Sequence, residues 1–135
     1  MRRFINLGLP SGTRWADQNE RNQLPHGKAV RRYGLWIPTS AQWAELIRCC
    51  TWTWNAKTAA YTITGPNGKS ISLPARGFIC CAGPCHAGEG HYWALEDRDA
   101  STAYNLFFDS KKQLPSDDSY KVLGMSLRIV KPSKK

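Results

Sequence analysis

The side chains best equipped for chemistry lie between residues 80 and 99. Cys81, Cys85, His86 and His91 offer the sulfur and imidazole donors that hold zinc. A Cys-x3-Cys spacing with trailing histidines matches no common structural zinc motif, so these residues are expected in a loop or core and no metal is assigned. Glu96, Asp97 and Asp99 gather carboxylates, but a calcium site needs several oxygen ligands in a set geometry, and none is assigned. Five cysteines is an odd number, so at least one stays unpaired within a monomer. Cys49-Cys50 and Cys80-Cys81 are sequence neighbours, which rarely bond to each other. No signal peptide is recognisable, and reduced thiols, several of them buried, are the expectation. No cysteine has an identifiable base beside it to lower its pKa, so no catalytic residue and no cofactor is assigned.

The elements that must position these groups read as one helix followed by strands. Asn6 to Trp15 suggests a short strand, a Pro-Ser-Gly turn and a second short strand. Residues 17 to 32 are polar and irregular, and Pro25 and Gly27 argue for a loop. Gly34 to Pro38 is a short apolar piece ended by proline. Thr39 as N-cap with Gln42 three residues on forms a capping box. Trp43, Leu46 and Ile47 then share one buried helical face, covered elsewhere by Ala44, Glu45 and Arg48. The helix is expected to end near Cys50, where Thr51 to Trp54 begins to alternate. Residues 61–64 and 70–73 flank Asn67-Gly68, a strong hairpin signal. A short strand is expected within 75–79, a loop over 80–91, strands over 91–94 and 103–108, a polar loop over 109–118, and a last strand over 124–130. The sum is an α+β domain, with one main early helix and short, mostly antiparallel strands, spanning 1–135 as a single domain.

Composition agrees with a globular chain and narrows its partners. Its 135 residues suffice for a sizeable core, and 41% are hydrophobic, with 6 Trp, 5 Tyr and 4 Phe. No apolar stretch approaches the ~18 residues of a membrane span. The apolar segment 4–9 behind Arg2 and Arg3 is too short for a secretory signal, so a cytoplasmic or virion-associated chain is expected. The net charge of +9 invites a nucleic-acid reading. However, the cations are spread over the first half and the tail (Lys131, Lys134, Lys135), the acids gather late, and no DNA-binding motif occurs. Specific nucleic-acid binding is therefore not expected.

Several segments resemble one family in order and spacing. Residues 7–16, LGLPSGTRWA, are similar to the opening block of the Fibrobacter succinogenes major paralogous domain, which is widespread in Bacteroidetes. Residues 36–46 resemble its RLPTxxEWxEL helix start, with Trp36 in place of the arginine. Residues 50–54, 64–68 with 71–75, and Gly90-His-Tyr-Trp93 match further blocks, the last with Ala94 and Leu95 in place of two serines. Gly124 to Arg128 resembles the closing GFSVR strand. This resemblance implies a C-type-lectin-like fold, related to formylglycine-generating enzyme and to the variable proteins of diversity-generating retroelements. The familiar calcium-lectin motifs Glu-Pro-Asn and Trp-Asn-Asp are absent, as is the enzyme's active-site segment.

Such a domain holds its core and binds ligands on its late strands and loops. Trp15, Trp43, Trp52 and Trp93 are accordingly expected in the core. On the strand 103–108, Leu106 and Phe108 should face inward and Asn105 and Phe107 outward. With the connection Glu96, Asp97, Arg98, Asp99 and Ser101, and the loop carrying Lys111 and Tyr120, they form the expected ligand-binding surface, of a composition that suits an adaptable paratope. The function implied is non-enzymatic recognition of a cell-surface protein or glycan, on a phage or as a retroelement-diversified protein varied over about residues 79 to 123. Self-association or a larger assembly is open, and the alternatives are a thiol-dependent relative of formylglycine-generating enzyme and a structural virion protein.

Overall fold

The computed structural model describes residues 3–131; the basic residues Arg2, Lys134 and Lys135 lie outside that range. Two short strands open the chain, β1 (Phe4–Asn6) and β2 (Arg14–Ala16), paired antiparallel across the Pro-Ser-Gly turn, which Gly12 N closes on Leu9 O. The stretch expected to be a loop before residue 33 instead contains α1 (His26–Tyr33). Pro25 occupies the N-cap, where an extended backbone suits it, and Gly34 ends the helix at φ 52°. His26 and Ala29 are buried, with Val30 and Tyr33 packed on the same cluster, so the helix presents one apolar face despite its polar composition. The early chain thus holds two helices instead of one. A single 3-10 turn, Gly34–Trp36, leads to α2 (Ser40–Cys49). Its capping box forms as expected, with Thr39 and Gln42 each accepting from the other's backbone N–H. Trp43 and Leu46 are buried and Ile47 is half-buried. Glu45, expected on the covering side, is buried too, where it accepts from Ser11 N at 3.0 Å and Ser11 Oγ at 2.6 Å.

The strands form four small three-stranded antiparallel sheets among the described residues. β3 (Thr51–Asn55), β4 (Ala60–Thr64) and β5 (Ser70–Pro74) make a meander, with the Asn67-Gly68 turn between β4 and β5. Its inner face carries Tyr61, Ile63, Ile71 and Leu73, while Thr51, Thr53, Thr62 and Ser72 face water. β6 (Phe78–Cys80) and β7 (Gly83–Cys85) form a tight hairpin inside the segment expected to be a loop. The two-residue turn Cys81-Ala82 brings Cys80 and Cys85 into a disulfide, which corrects the expectation of reduced thiols. Cys49 and Cys50 remain free and half-buried, and Cys81 is free and exposed.

β8 (Gly90–Asp97), β9 (Thr102–Phe108) and β10 (Gln113–Tyr120) complete the largest sheet. A Cβ at Gly90 would collide with the Phe108 ring, so only glycine permits this β8–β9 approach. β10 occupies the region expected to be a polar loop. It is an edge strand whose burial alternates residue by residue, and an edge tolerates Pro115 and its acids. The expected last strand divides into β11 (Gly124–Met125), paired with β6, and β12 (Val130–Lys131), paired with β2.

Two apolar clusters lie on opposite faces of the β8–β9 pair. On one side Tyr92, Ala94, Leu106 and Phe108 join Trp15, Trp43 and Tyr61; the Trp15 and Trp43 rings are 4.6 Å apart. On the other, Trp93 and Ala103 pack with Ala29, Ile37, Met125 and Leu127. Three of the expected core tryptophans, Trp15, Trp43 and Trp93, are fully buried. Trp52 is half-buried, donating from Nε1 to Leu46 O at 3.1 Å. This second cluster overturns the expectation that Asn105 faces outward: α1 and residues 123–127 cover that face, and Asn105 is fully buried.

Candidate functional site

A groove of about 790 Å³ opens between the connection that follows β2 and the outer edge of β5. Residues 17–23 form one wall, Ser72, Pro74 and Arg76 the other, and Ser126 and Arg128 contribute the floor. The groove exists because Arg128 ties its walls together. The Arg128 Nε donates to Asn19 Oδ1 at 2.9 Å, Nη1 to Ala16 O at 3.0 Å, and Nη2 to Ser72 O at 2.6 Å. A guanidinium presents its N–H groups in a rigid fork, so one side chain ties the connection after β2, at Ala16 and Asn19, to β5 at Ser72. Asn19 also donates from Nδ2 to the Tyr92 hydroxyl at 2.9 Å, and that hydroxyl donates to Pro74 O at 2.6 Å. Backbone bonds finish the wall: Glu20 N donates to Leu127 O at 2.8 Å and Ala16 N to Ile129 O at 3.0 Å.

Burial governs the electrostatics of this floor. It pulls the Arg128 pKa below its ordinary value, against the opposing effects of Tyr92, Asp17 and Glu20. It also pushes the Tyr92 hydroxyl up to about 12, opposed by Arg128, Asn19 and Arg76. Above the floor, the carboxylates of Asp17 and Glu20 share the groove with the guanidiniums of Arg21, Arg76 and Arg128 and with side-chain amides. Closely spaced charges of both signs offset each other, so the groove holds a small anion or a small cation less firmly than a patch of one sign would. A neutral hydroxyl is different, since it donates to a carboxylate and accepts from a guanidinium or amide. The volume falls in the ~300–1,000 Å³ range of small-ligand sites. No Cys or His lines the groove.

The residues expected to bind ligand do not form one surface. Glu96, Asp97, Arg98, Asp99, Ser101 and Tyr120 come together at one end of the β8–β9–β10 sheet. There Arg98 pairs with Asp99 and Asp118, both at 3.2 Å, and Lys121 with Asp97 at 3.2 Å. Glu96 accepts from Ser40 N at the start of α2, 2.9 Å away. Asp99 Oδ1 accepts from the N–H groups of Ser101 and Thr102 and from the Thr102 hydroxyl, which hold its pKa at about 2. Phe107 and Lys111 lie at the opposite end of β9, where Phe107 is half-buried between His91 and Lys112. Asn105 is inside, with its Oδ1 lacking a partner.

Of the zinc candidates Cys81 is free and exposed, and the other three have other contacts. Cys85 is in the disulfide, and Glu89 Oε1 accepts the imidazoles of His86 and His91 at 3.2 and 3.0 Å. No group of three or more such donors is placed to hold a metal among the described residues. The Cys50 thiol is pushed to about 11, by burial first and then by Cys49 and Glu45, the reverse of an activated nucleophile.

The groove residues were missed in the sequence because their neighbours are remote: Arg128 is 56 residues from Ser72 and 112 from Ala16. One signal was available, an arginine inside an apolar run at 124–130. Compared with protein-family models, curated proteins and solved structures, the chain gives no match. The ligand class must therefore be argued from the groove itself.

Proposed function

We propose that this protein is a non-catalytic, C-type-lectin-like recognition module that takes a neutral glycan of a cell surface in the groove floored by Arg128. The observation that carries the reading is the close mixture of carboxylates, guanidiniums and amides around a groove of ligand size, which suits vicinal hydroxyls and disfavours ions. Guanidiniums on both walls would also repel a bridging calcium ion, so binding is expected to survive chelation. The fold assignment is supported by the ordered resemblance of six segments and by the α+β architecture of small antiparallel sheets. The alternative of a thiol-dependent enzyme draws no support from the raised Cys50 pKa.

The test is a glycan array followed by titration calorimetry with EDTA present. Binding of an uncharged saccharide, lowered about tenfold in Arg76→Ala (~1.4 kcal/mol) and in Asp17→Asn, supports the reading. Selective capture of anionic glycans that Asp17→Asn strengthens would sink it, because the carboxylates would then be obstacles and not ligands.

A further inference from the structure

Charges that are mixed in the groove are segregated along α1. Lys28, Arg31 and Arg32 follow i, i+3, i+4 spacing and are all exposed, on the side away from His26 and Ala29; Leu35, in the 3-10 turn past the end of the helix, is exposed as well. The three cations form no ion pair among the described residues, and no Asp or Glu occurs in the sequence from Arg21 to Ala44. Leu35 is 79% exposed, with Trp36 beside it.

The opposite end of α1 meets the acidic end of the large sheet. His26 N donates to Lys121 O at 2.9 Å, and His26 Nδ1 lies 3.6 Å from Asp97. Here four carboxylates (Glu96, Asp97, Asp99, Asp118) outnumber the two cations Arg98 and Lys121 that pair with three of them. Val122, 81% exposed, and Tyr120 stand beside them. The ridge built on α1, ~12 Å long, thus has carboxylates and an exposed apolar residue next to its first turn, and cations along its exposed face up to an exposed leucine past its last.

We propose that this ridge is a self-association surface whose occupant is a second copy of the chain. A twofold axis across the middle of α1 sets the Arg31, Arg32 and Leu35 end of each copy against the Asp97, Asp118 and Val122 end of the other. Both contacts are then made twice, as an isologous dimer requires. An anionic membrane or nucleic acid would match the basic end but face repulsion from the carboxylates at the other, so the complementary pattern favours a copy of itself.

Charge exchange decides it. By sedimentation velocity at about 0.05 M salt, the native chain should run at twice its 15.2 kDa mass and shift towards monomer at about 1 M salt, where screening acts within ~3 Å. Arg31→Glu with Arg32→Glu should be monomeric, as should Asp97→Lys with Asp118→Lys. Mixing the two variants should restore a dimer, since every contact is again between opposite charges. Thermal unfolding of each variant checks that these exposed exchanges leave the fold intact. A native monomer at all attainable concentrations, a dimer that survives either exchange, or a mixture that stays monomeric overturns the proposal. Saccharide titration of the monomeric variants reads the groove separately, so loss of one activity leaves the other measurable.

Discussion

The groove and the α1 ridge use the same charged residue types in opposite arrangements. In the groove, acids and bases are interleaved around a buried arginine whose three hydrogen bonds are internal. On the ridge they are sorted, with unpaired cations at one end and an excess of carboxylates at the other. Interleaved charges cancel within a few ångströms and leave short-range, directional hydrogen bonding. Sorted charges leave a field that reaches about a Debye length, ~8–10 Å at moderate salt. The groove should therefore be selective and insensitive to salt, and the ridge attractive and sensitive to it.

The largest expected effect comes from removing the groove's tie. Arg128→Ala strands Ala16 O, Ser72 O and Asn19 Oδ1 and should destabilise the fold by about 3–5 kcal/mol in urea unfolding. A loss below about 1 kcal/mol would mean that the groove walls stand without it. Alkali should come next. The folded chain keeps the Tyr92 proton up to about 12, whereas an unfolded tyrosine loses it near ~10. Between those values the folded state binds more protons, so stability present below about pH 10 is lost as pH rises through about 12, by roughly 3 kcal/mol. Tyr92→Phe should lack this part of the pH dependence, and an identical profile in the variant would remove Tyr92 as its source.

Salt sharpens the contrast at a smaller scale. Raising it from about 0.05 M to about 1 M should leave saccharide affinity within about twofold while dissociating the ridge dimer; equal sensitivity of both would erase the distinction. The smallest effect is at the acidic end. Asp99 has a folded pKa of about 2, below the ~3.9 of a free aspartate, so its contribution is present above about pH 4 and lost as pH falls through about 2. The amide NMR shifts of Ser101 and Thr102 should follow that titration, and a midpoint at the ordinary aspartate value would show that the turn does not depend on it.

What could be read from the sequence was local. The Thr39–Gln42 capping box and the Asn67-Gly68 hairpin are complete within a few residues, and both form as expected. α1 was legible in principle, since residues 26, 29, 30 and 33 share a face, but Pro25 and Gly27 spoke for a loop. A proline at the N-cap and a glycine on the exposed side cost the helix little. β10 was hidden because an edge strand need satisfy only one neighbour and can be polar throughout. The outward placement of Asn105 failed for another reason: strand parity gives two faces, but only the tertiary fold decides whether both are covered. The candidate ligand surface was read from adjacent residues, whereas the groove is assembled from stretches far apart in the chain.

That remoteness also sets when the molecule can form. β2 gains one of its two neighbours only from Val130 and Lys131, and the connection after it closes only on Leu127, Arg128 and Ile129. While the chain emerges from the ribosome, Trp15 and the inner edge of β2 must wait, uncovered, until residues 127–131 are made. Folding is therefore expected to wait in its decisive step for residues 127–131 and to be slow for the domain's size, as distant pairings are. During that wait the early strands are the segment most in need of a chaperone.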